Sequence, residues 1–189
     1  VISGLVALSM LTTFAVPSGM AKAADSSELK NPVVSKTETT WDRVVFGSYY
    51  SEVQEKDVPI TWRVLNVSGN DAFLISDEIL AMKNYNDEAK AVTWADSSLR
   101  SWLNDDFFNY AFTEEERAAV IQTEIQNNNF DLTQTDYEMT NDYVYLPSYQ
   151  EMQLKSYGFS NNILDHESRQ AYTNTYLEAS NIDDTDDPA

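Results

Sequence analysis

The chain has 189 residues, of which 42% are apolar and 12% aromatic, enough for one domain with a real core. It carries 31 acidic against 12 basic residues, a formal net charge of −19, which excludes nucleic acid and an anionic membrane surface as partners because phosphates bind clustered Lys and Arg. It has no cysteine and a single histidine, His166, which excludes disulfides, thiolate catalysis and a multi-histidine metal site within one chain.

The first residues have the pattern of a secretory signal. Residues 1–16 are apolar, Pro17 and Gly19 break this run, and the Ala-Lys-Ala sequence at 21–23 is similar to a cleavage site. The run is too short for a membrane span. Residues 1–24 are therefore predicted to be a signal peptide that lacks its first residues, and the protein is predicted to be secreted or held at the cell surface.

The rest of the chain divides into a linker and one domain. Residues 25–40 contain Ser, Thr, Lys and Pro32 and predict a linker. Residues 41–189 predict a single α+β domain, with a small, mainly antiparallel sheet packed against a helix pair. Strands are expected at 41–46, 60–67 and 72–76, the last two joined by a Gly-containing turn into a hairpin.

The helix pair is predicted over residues 94–121. Apolar residues recur at spacings of three and four in its first half, which predicts one buried face. This face comprises Leu99, Trp102, Leu103, Phe107 and Tyr110. In the second half, Thr113 followed by Glu116 is a capping box that starts a new helix. Arg100, a basic side chain on a strongly acidic protein, is expected to pair with a carboxylate in a structural role.

The remaining segments are less regular. The predicted elements are a short helix or extended piece at 79–82, an exposed loop at 85–92, a long polar loop at 122–141, a strand at 143–146, and an acidic tail at 183–189. Ser148 and Glu151 form a second capping box, which predicts a helix that runs to Tyr157 and ends at Gly158.

No motif predicts a catalytic residue. The chain has no Gly-x-Ser-x-Gly elbow, and His166 is best explained as a surface or partly buried polar residue. The chain contains so many acidic residues that two of them close together do not indicate a catalytic pair. No cofactor is predicted, and the acidic tail and loop give weak support only to Ca²⁺, because neither has the EF-hand spacing. The oxygen ligands in the loop would come from Asp131, Asp136, Glu138, Asn141 and Asp142.

Tyrosines are the candidate binding residues. Eleven Tyr and four Trp are many for this length, and flat aromatic faces beside amides and carboxylates suit sugar or peptide recognition. They include Tyr85 in a predicted loop, and the alternative is that most of these aromatic residues cover the edge of the core. The predicted ligand-binding residues are Tyr49, Tyr50, Tyr137, Tyr172 and Tyr176.

Several strings together resemble a domain-of-unknown-function family of secreted and surface proteins from Gram-positive, often gut-dwelling, bacteria. They are FGSY at 46–49, ITWRVL at 60–65, AFLIS at 72–76, LRxWLNxxF at 99–107 and LPS at 146–148. The family implies no established activity, and its layout is similar to that of C-type-lectin-like domains. The enzymes of that group depend on cysteine, so their chemistry is not transferred here. Family members continue with a Trp-Trp segment and a closing Arg-Pro-Ala strand, and we expect the domain to be incomplete at its C-terminal end.

These observations favour a non-catalytic extracellular binding module whose ligand is a carbohydrate or a surface protein. Two alternatives remain open, a carboxylate-dependent hydrolase acting on glycans or cell wall, and a structural spacer.

Overall fold

The structure is a computed structural model that describes residues 5–8, 11–15, 29–35, 38–51, 55–127, 138–161 and 166–173. Within these ranges the chain forms a mixed α+β fold with small antiparallel sheets and one main helix of 14 residues. The predicted α+β class is thus confirmed. The predicted acidic tail, Tyr137, Tyr176, Asp131 and Asp136 lie outside the described residues.

Thirteen strands are described in chain order. They are β1 (Leu5–Leu8), β2 (Leu11–Ala15), β3 (Val33–Val34), β4 (Thr39–Thr40), β5 (Arg43–Ser51), β6 (Lys56–Ser68), β7 (Asp71–Ser76), β8 (Glu78–Ile79), β9 (Ala81–Asn84), β10 (Val120–Ile121), β11 (Thr123–Asn127), β12 (Glu138–Asp142) and β13 (Tyr172–Thr173). The largest sheet has five strands in the order β10-β2-β7-β6-β5, and every neighbouring pair in it is antiparallel.

The predicted hairpin is confirmed as β6 and β7. Ser68 pairs with Asp71, and Gly69 turns the chain at a φ of +62°, a left-handed conformation that glycine adopts without steric strain. Along β6, Ile60, Trp62 and Val64 are buried, as the alternation predicted.

The first strand is longer than predicted, because β5 continues past Gly47 to Ser51. The pairing with β6 shifts between Val45 and Ser48, which marks a bulge. Gly47 takes a φ of +72° there, and its N–H donates to Glu116 Oε1 at 2.9 Å. The glycine bends the strand instead of ending it.

Both strands β1 and β2 come from the segment predicted to be a signal peptide. β1 pairs with β9 and β2 pairs with β7 and β10. Residues 79–82, for which helix and extended structure were both open, are extended. Two short strands, β3 and β4, pair within the predicted linker. The signal peptide and its cleavage stay a prediction.

The predicted helix pair is present. Its helical segments are α1 (Ser98–Trp102), a π-helical turn (Leu103–Phe107), α2 (Phe108–Ala111) and α3 (Glu114–Ala119). The first three are continuous. The pair begins at Ser98, where Ser97 accepts from the Arg100 N–H, and the capping box of Thr113 and Glu116 starts α3 as predicted.

The buried face of the main helix differs from the prediction at one residue. Leu99, Leu103 and Phe107 are buried, whereas Tyr110 is 53% exposed. A π-helical turn holds more residues than the 3.6 of an α-helix, so it rotates the following turn. Phe108 and Ala111 therefore face the core in place of Tyr110.

In the second half of the chain, the structure differs from three of the predictions. Residues 123–127 and 138–141 of the predicted loop, together with Asp142, pair as β11 and β12, a largely polar ribbon held by backbone hydrogen bonds. Residues 143–146 form no strand, because Asn104 Oδ1 accepts from the N–H groups of Tyr143 and Val144. The Ser148–Glu151 capping contacts are present, but two 3₁₀ turns, Glu151–Gln153 and Lys155–Tyr157, replace the expected α-helix.

Strands β6 and β7 contribute to two apolar clusters. The larger lies between the sheet and the helices and includes Trp62, Phe107 and Phe112, all at most 2% exposed. The smaller joins Leu65 and Ile75 to residues of the second half, Tyr145 and Phe159. Trp102, Phe107 and Phe108 thus belong to the packing of the fold.

Candidate functional site

The most specific string of the sequence, LRxWLNxxF, lies on α1 and the π-helical turn. Its apolar members Leu99, Leu103 and Phe107 are fully buried. Its two polar members, Arg100 and Asn104, bind the segment that follows β12.

Arg100 has the carboxylate partner that the sequence predicted. Its Nε donates to Asp142 Oδ1 at 2.7 Å, and Asp142 is fully buried. The other carboxylate oxygen accepts from Trp94 Nε1 and Thr140 Oγ1, each at 2.8 Å. Every oxygen of this buried anion is therefore hydrogen-bonded within the fold, the condition under which a buried charge is tolerated.

Asn104 holds the chain at Tyr143 and Val144. Its Oδ1 accepts from both N–H groups at 2.6 and 3.2 Å, and its Nδ2 donates to the Val144 carbonyl at 2.9 Å. Together with the Arg100–Asp142 pair, this fastens the helix to the second half of the chain. The string is therefore explained by its structural contacts.

The predicted calcium ligands do not form a site in the described residues. Asp142 is taken up by Arg100, while Glu138 and Asn141 are exposed on β12. Over the ranges that the structure describes, no group of three or more His, Asp or Glu side chains is arranged to hold a metal ion. In the same ranges, no helix is both long and apolar enough to cross a membrane.

Two of the predicted binding tyrosines, Tyr49 and Tyr50, meet Tyr110 and Asp57 at the end of β5. We call these four residues the tyrosine patch. Tyr50 and Asp57 are register partners on β5 and β6, so their side chains share one face of the sheet. The Tyr110 hydroxyl donates to Asp57 Oδ1, and this hydrogen bond raises the pKa of Tyr110.

Tyr49 supports the patch from the core side. Its ring packs on Phe107 at 5.2 Å between centroids and meets Tyr110 edge-on at 5.7 Å and 83°. Tyr110 is thus fixed at its hydroxyl and along its ring, yet remains 53% exposed, and Tyr50 is 45% exposed. The adjoining cavity is only about 10 Å³, the size of one water, so the patch is an open surface.

The other predicted binding tyrosines are not brought to this patch by anything the structure describes. Tyr172 lies in β13, which pairs in parallel with β8, and its side chain is not described. Tyr85, which was expected in an exposed loop, is partly buried, and its ring centroid lies 6.4 Å from that of Trp94.

Sequence reasoning missed Tyr110 and Asp57. Tyr110 belonged to the predicted buried stripe, and Asp57 to a predicted loop. The exposure of Tyr110 depends on the π-helical turn. The position of Asp57 opposite Tyr50 depends on how far β5 continues. Neither has a local sequence signal that would have indicated a shared surface.

A second candidate is a cleft of about 770 Å³ beside Trp41. It is lined by four titratable side chains, Glu38, Lys155, His166 and Glu167, among others. The face of Trp41 is not free for stacking on both sides, because the Arg63 guanidinium lies 4.5 Å from its ring centroid.

The histidine of this cleft caps a turn. His166 Nδ1 accepts from the Ser168 N–H at 3.1 Å and lies 3.0 Å from Ser168 Oγ. That hydroxyl oxygen also accepts from the Ser160 N–H and is buried. The pair therefore resembles a nucleophile and base only in distance, since the hydroxyl is consumed by local hydrogen bonds.

Comparison with known proteins gives one match. No curated protein and no solved structure matches the chain. A family described as a domain of unknown function (DUF6273) matches residues 69–184, from the β6–β7 turn through the helices and beyond β13. Since this span is more than half of the sequence, the chain belongs to the DUF6273 family.

Proposed function

We propose that this protein is a non-catalytic binding module of a secreted or cell-surface bacterial protein, of the Gram-positive, gut-dwelling kind that the sequence resembles, and that its tyrosine patch binds a carbohydrate. The proposal includes the C-type-lectin-like layout expected from the order of strands, helix pair and loops.

The observation that carries the proposal is the fixed, exposed ring of Tyr110. A sugar binds an aromatic ring through its apolar C–H face, and its hydroxyl groups need hydrogen-bonding partners at the ring edge. Tyr110 is held by Tyr49 and Asp57 before any ligand arrives. Little side-chain entropy is therefore lost on binding, which raises affinity for a given contact area.

Polar side chains lie at the hydroxyl of this ring and elsewhere on its helix. Asp57 lies at its hydroxyl, and Asp106 and Asn109 are exposed on the preceding part of the same helix. The amide of Asn109 donates to Asp105, which orders that turn. Carboxylate and amide oxygens accept hydrogen bonds from sugar hydroxyls.

Charge narrows the ligand class. The chain carries a net charge of −19, and the patch itself contains Asp57 with Asp105 and Asp106 nearby. An anionic polysaccharide would be repelled by this surface. The ligand proposed is a neutral glycan.

A hydrolase is the second candidate, and the observation that favours it is the pair of carboxylates, Glu38 and Glu167, in the cleft beside Trp41. A glycosidase requires two carboxyl groups across its substrate. It ranks second because Glu38 and Glu167 are both exposed to solvent, whereas the two carboxyl groups of a glycosidase flank the bond that is cleaved.

Titration of the full chain with a panel of soluble neutral and anionic glycans, followed by calorimetry and product analysis, tests the proposal. Tyr110→Ala and Tyr50→Ala are expected to weaken binding of a neutral glycan at least tenfold, about 1.4 kcal/mol, since each removes a stacking face. Tyr149→Ala, which removes an equally exposed tyrosine outside the patch, is the matched control and is expected to leave the affinity unchanged.

Three results would contradict the proposal. They are equal affinity in all three variants, a preference for anionic glycans, and glycan cleavage that Glu38→Gln or Glu167→Gln abolishes. The last would support the hydrolase, and the absence of both binding and turnover would support a spacer.

A further inference from the structure

The tyrosine patch brings two exposed rings to one carboxylate. Tyr50 lies opposite Asp57 across the β5–β6 pair, and the Tyr110 hydroxyl donates to Asp57 Oδ1. The hydrogen bond to Asp57 raises the pKa of Tyr110, and the nearby hydroxyl groups of Tyr49 and Tyr50 add to this effect. The hydroxyl groups of all three tyrosines therefore lie close to Asp57.

Within the described ranges, Asp57 has no basic partner, since the ion pairs found there join other residues. Lys56, its neighbour in β6, projects toward the opposite face of the strand, because successive side chains of a strand alternate. Asp105 and Asp106 are exposed on the helix that carries Tyr110, and the whole chain has a net charge of −19. The electrostatic field at the patch therefore attracts a cation.

Aromatic faces already hold cations elsewhere in this fold. The Arg63 guanidinium lies 4.5 Å from the ring centroid of Trp41, and the Lys83 ammonium lies 4.7 Å from a ring centroid of Trp102. In the part of the chain that the structure describes, no Lys or Arg lies over the rings of Tyr50 and Tyr110 in this way. The exposed surface of these two rings is left for a cation from outside the chain.

The rings select the kind of cation, because a cation that packs on them loses part of its water shell. A primary ammonium is compact and strongly hydrated. A quaternary ammonium carries carbon groups in place of N–H donors, so it gives up water more readily and packs its apolar surface on an aromatic face. Its positive charge is attracted both by the π-electrons of the rings and by the carboxylate of Asp57.

We propose that the tyrosine patch also binds a quaternary ammonium group, such as that of choline, against Tyr50 and Tyr110 and beside Asp57. The site shares its rings with the proposed glycan site, but it depends on the charge of the ligand as well as on stacking. Because the patch is an open surface, each ring contributes a modest attraction, and a single choline is expected to bind weakly.

Titration of the full chain with choline, followed by the NMR shifts of the tyrosine ring protons, tests the proposal. The matched control ligand is the uncharged analogue in which carbon replaces the nitrogen of choline. It keeps the shape and loses the charge, so choline is expected to bind about fivefold more tightly. This difference is expected to shrink at high salt, since salt screens the attraction to an exposed carboxylate.

Variants assign the binding to residues. Tyr50→Ala, Tyr110→Ala and Asp57→Asn are each expected to weaken choline binding about threefold. Asp57→Asn changes an exposed side chain and keeps an oxygen that accepts from the Tyr110 hydroxyl, so weaker binding reports the lost charge. Asp71→Asn, which removes an exposed carboxylate from the same sheet, and Tyr149→Ala are the controls that are expected to leave choline binding unchanged.

Equal binding of choline and its uncharged analogue overturns the proposal, as does choline binding that Asp57→Asn or the two alanine variants leave unchanged. Glycan binding without choline binding overturns this inference and leaves the proposed function in place. Choline binding without glycan binding does the reverse, so the two proposals fail on different evidence.

Choline groups occur on membrane lipids and on soluble polymers, and two further probes separate these sources. The chain is sedimented with phosphatidylcholine vesicles, and it is titrated with a soluble polymer that bears choline groups. Sedimentation with the vesicles supports the proposal with a lipid headgroup as ligand, and binding of the polymer alone supports it with a polymer as ligand. Failure of both probes and of choline itself overturns the proposal.

Discussion

Two ion pairs of this protein have similar short distances but different environments. Arg100 pairs with Asp142 at 2.7 Å, and Asp142 is fully buried. Lys90 pairs with Glu88 at 2.8 Å, and both side chains are more than half exposed. Water and salt screen an exposed ion pair, whereas a buried carboxylate needs its partner to compensate its charge. Only the Arg100–Asp142 pair is therefore expected to contribute to the stability of the fold.

The replacement Arg100→Gln tests this at the residue scale. It removes the charge that compensates buried Asp142, so the free energy of unfolding is expected to fall by about 3 kcal/mol. Urea denaturation measures the change, with Lys90→Gln as the control that is expected to have no measurable effect. Equal stability of the two variants would show that the Arg100 charge is not required by Asp142.

At the scale of elements, the bulge of β5 connects the sheet to the helix pair. The N–H of Gly47 donates to Glu116, whose other carboxylate oxygen accepts from Thr113 in the capping box. A Cβ at Gly47 would lie 2.6 Å from the ring of Phe112 and 2.8 Å from the Ala111 carbonyl oxygen. Strand, cap and helix end are thus packed without space for a side chain.

The pair of variants Gly47→Ala and Gly69→Ala separates packing from backbone strain. Both glycines have positive φ, but nothing lies within 4 Å of a Cβ at Gly69. Gly69→Ala is expected to lower the free energy of unfolding by about 1 kcal/mol, the strain of a left-handed alanine. Gly47→Ala should lower it by roughly a further 2 kcal/mol because of overpacking. Similar values from thermal unfolding would mean that the bulge can open to accept a methyl group.

At the scale of the whole molecule, Asp77 joins parts of the chain that are far apart in sequence. It follows β7 and accepts from Arg43 on β5 and from Arg63 on β6. Arg63 in turn stacks on Trp41 and donates to the Ser168 carbonyl at 3.4 Å. Burial alone raises the pKa of Asp77, but the hydrogen bonds and charges of the two arginines outweigh it and hold that pKa below its usual value.

This shift predicts an acid-dependent loss of stability. A carboxylate whose pKa is lowered by folding stabilises the protein above its unfolded pKa of about 3.9, and this contribution disappears as the pH falls through the folded value. Asp77→Asn is therefore expected to be less stable than the wild type at pH 6 and to lose less stability between pH 5 and pH 2. Asp71→Asn, which changes an exposed carboxylate at the start of β7, serves as control. Parallel pH profiles for wild type and Asp77→Asn would contradict the argument.

Much of the fold could be predicted from local sequence patterns, and the predictions that were wrong have identifiable physical causes. The β6–β7 hairpin, the capping box at Thr113 and the end at Gly158 each depend on residues close together in sequence. The polar ribbon of β11 and β12 was missed because its stability lies in backbone pairing across 10 or more residues, which leaves little apolar alternation. The prediction of a strand at 143–146 is wrong because one distant side chain, Asn104, accepts the hydrogen bonds that a neighbouring strand would otherwise accept.

The sequence by itself determined the elements whose signals are local, the α+β class, and the need of Arg100 for a carboxylate. Only the tertiary structure decided which carboxylate this is, that a π-helical turn moves Tyr110 out of the core to contact Asp57 and Tyr49, and that Leu11–Ala15 lies between β7 and β10. The physical reason is distance along the chain. Spacings of two to four residues set which face of a strand or helix is apolar, whereas contacts between residues 40 or more positions apart depend on how those faces pack.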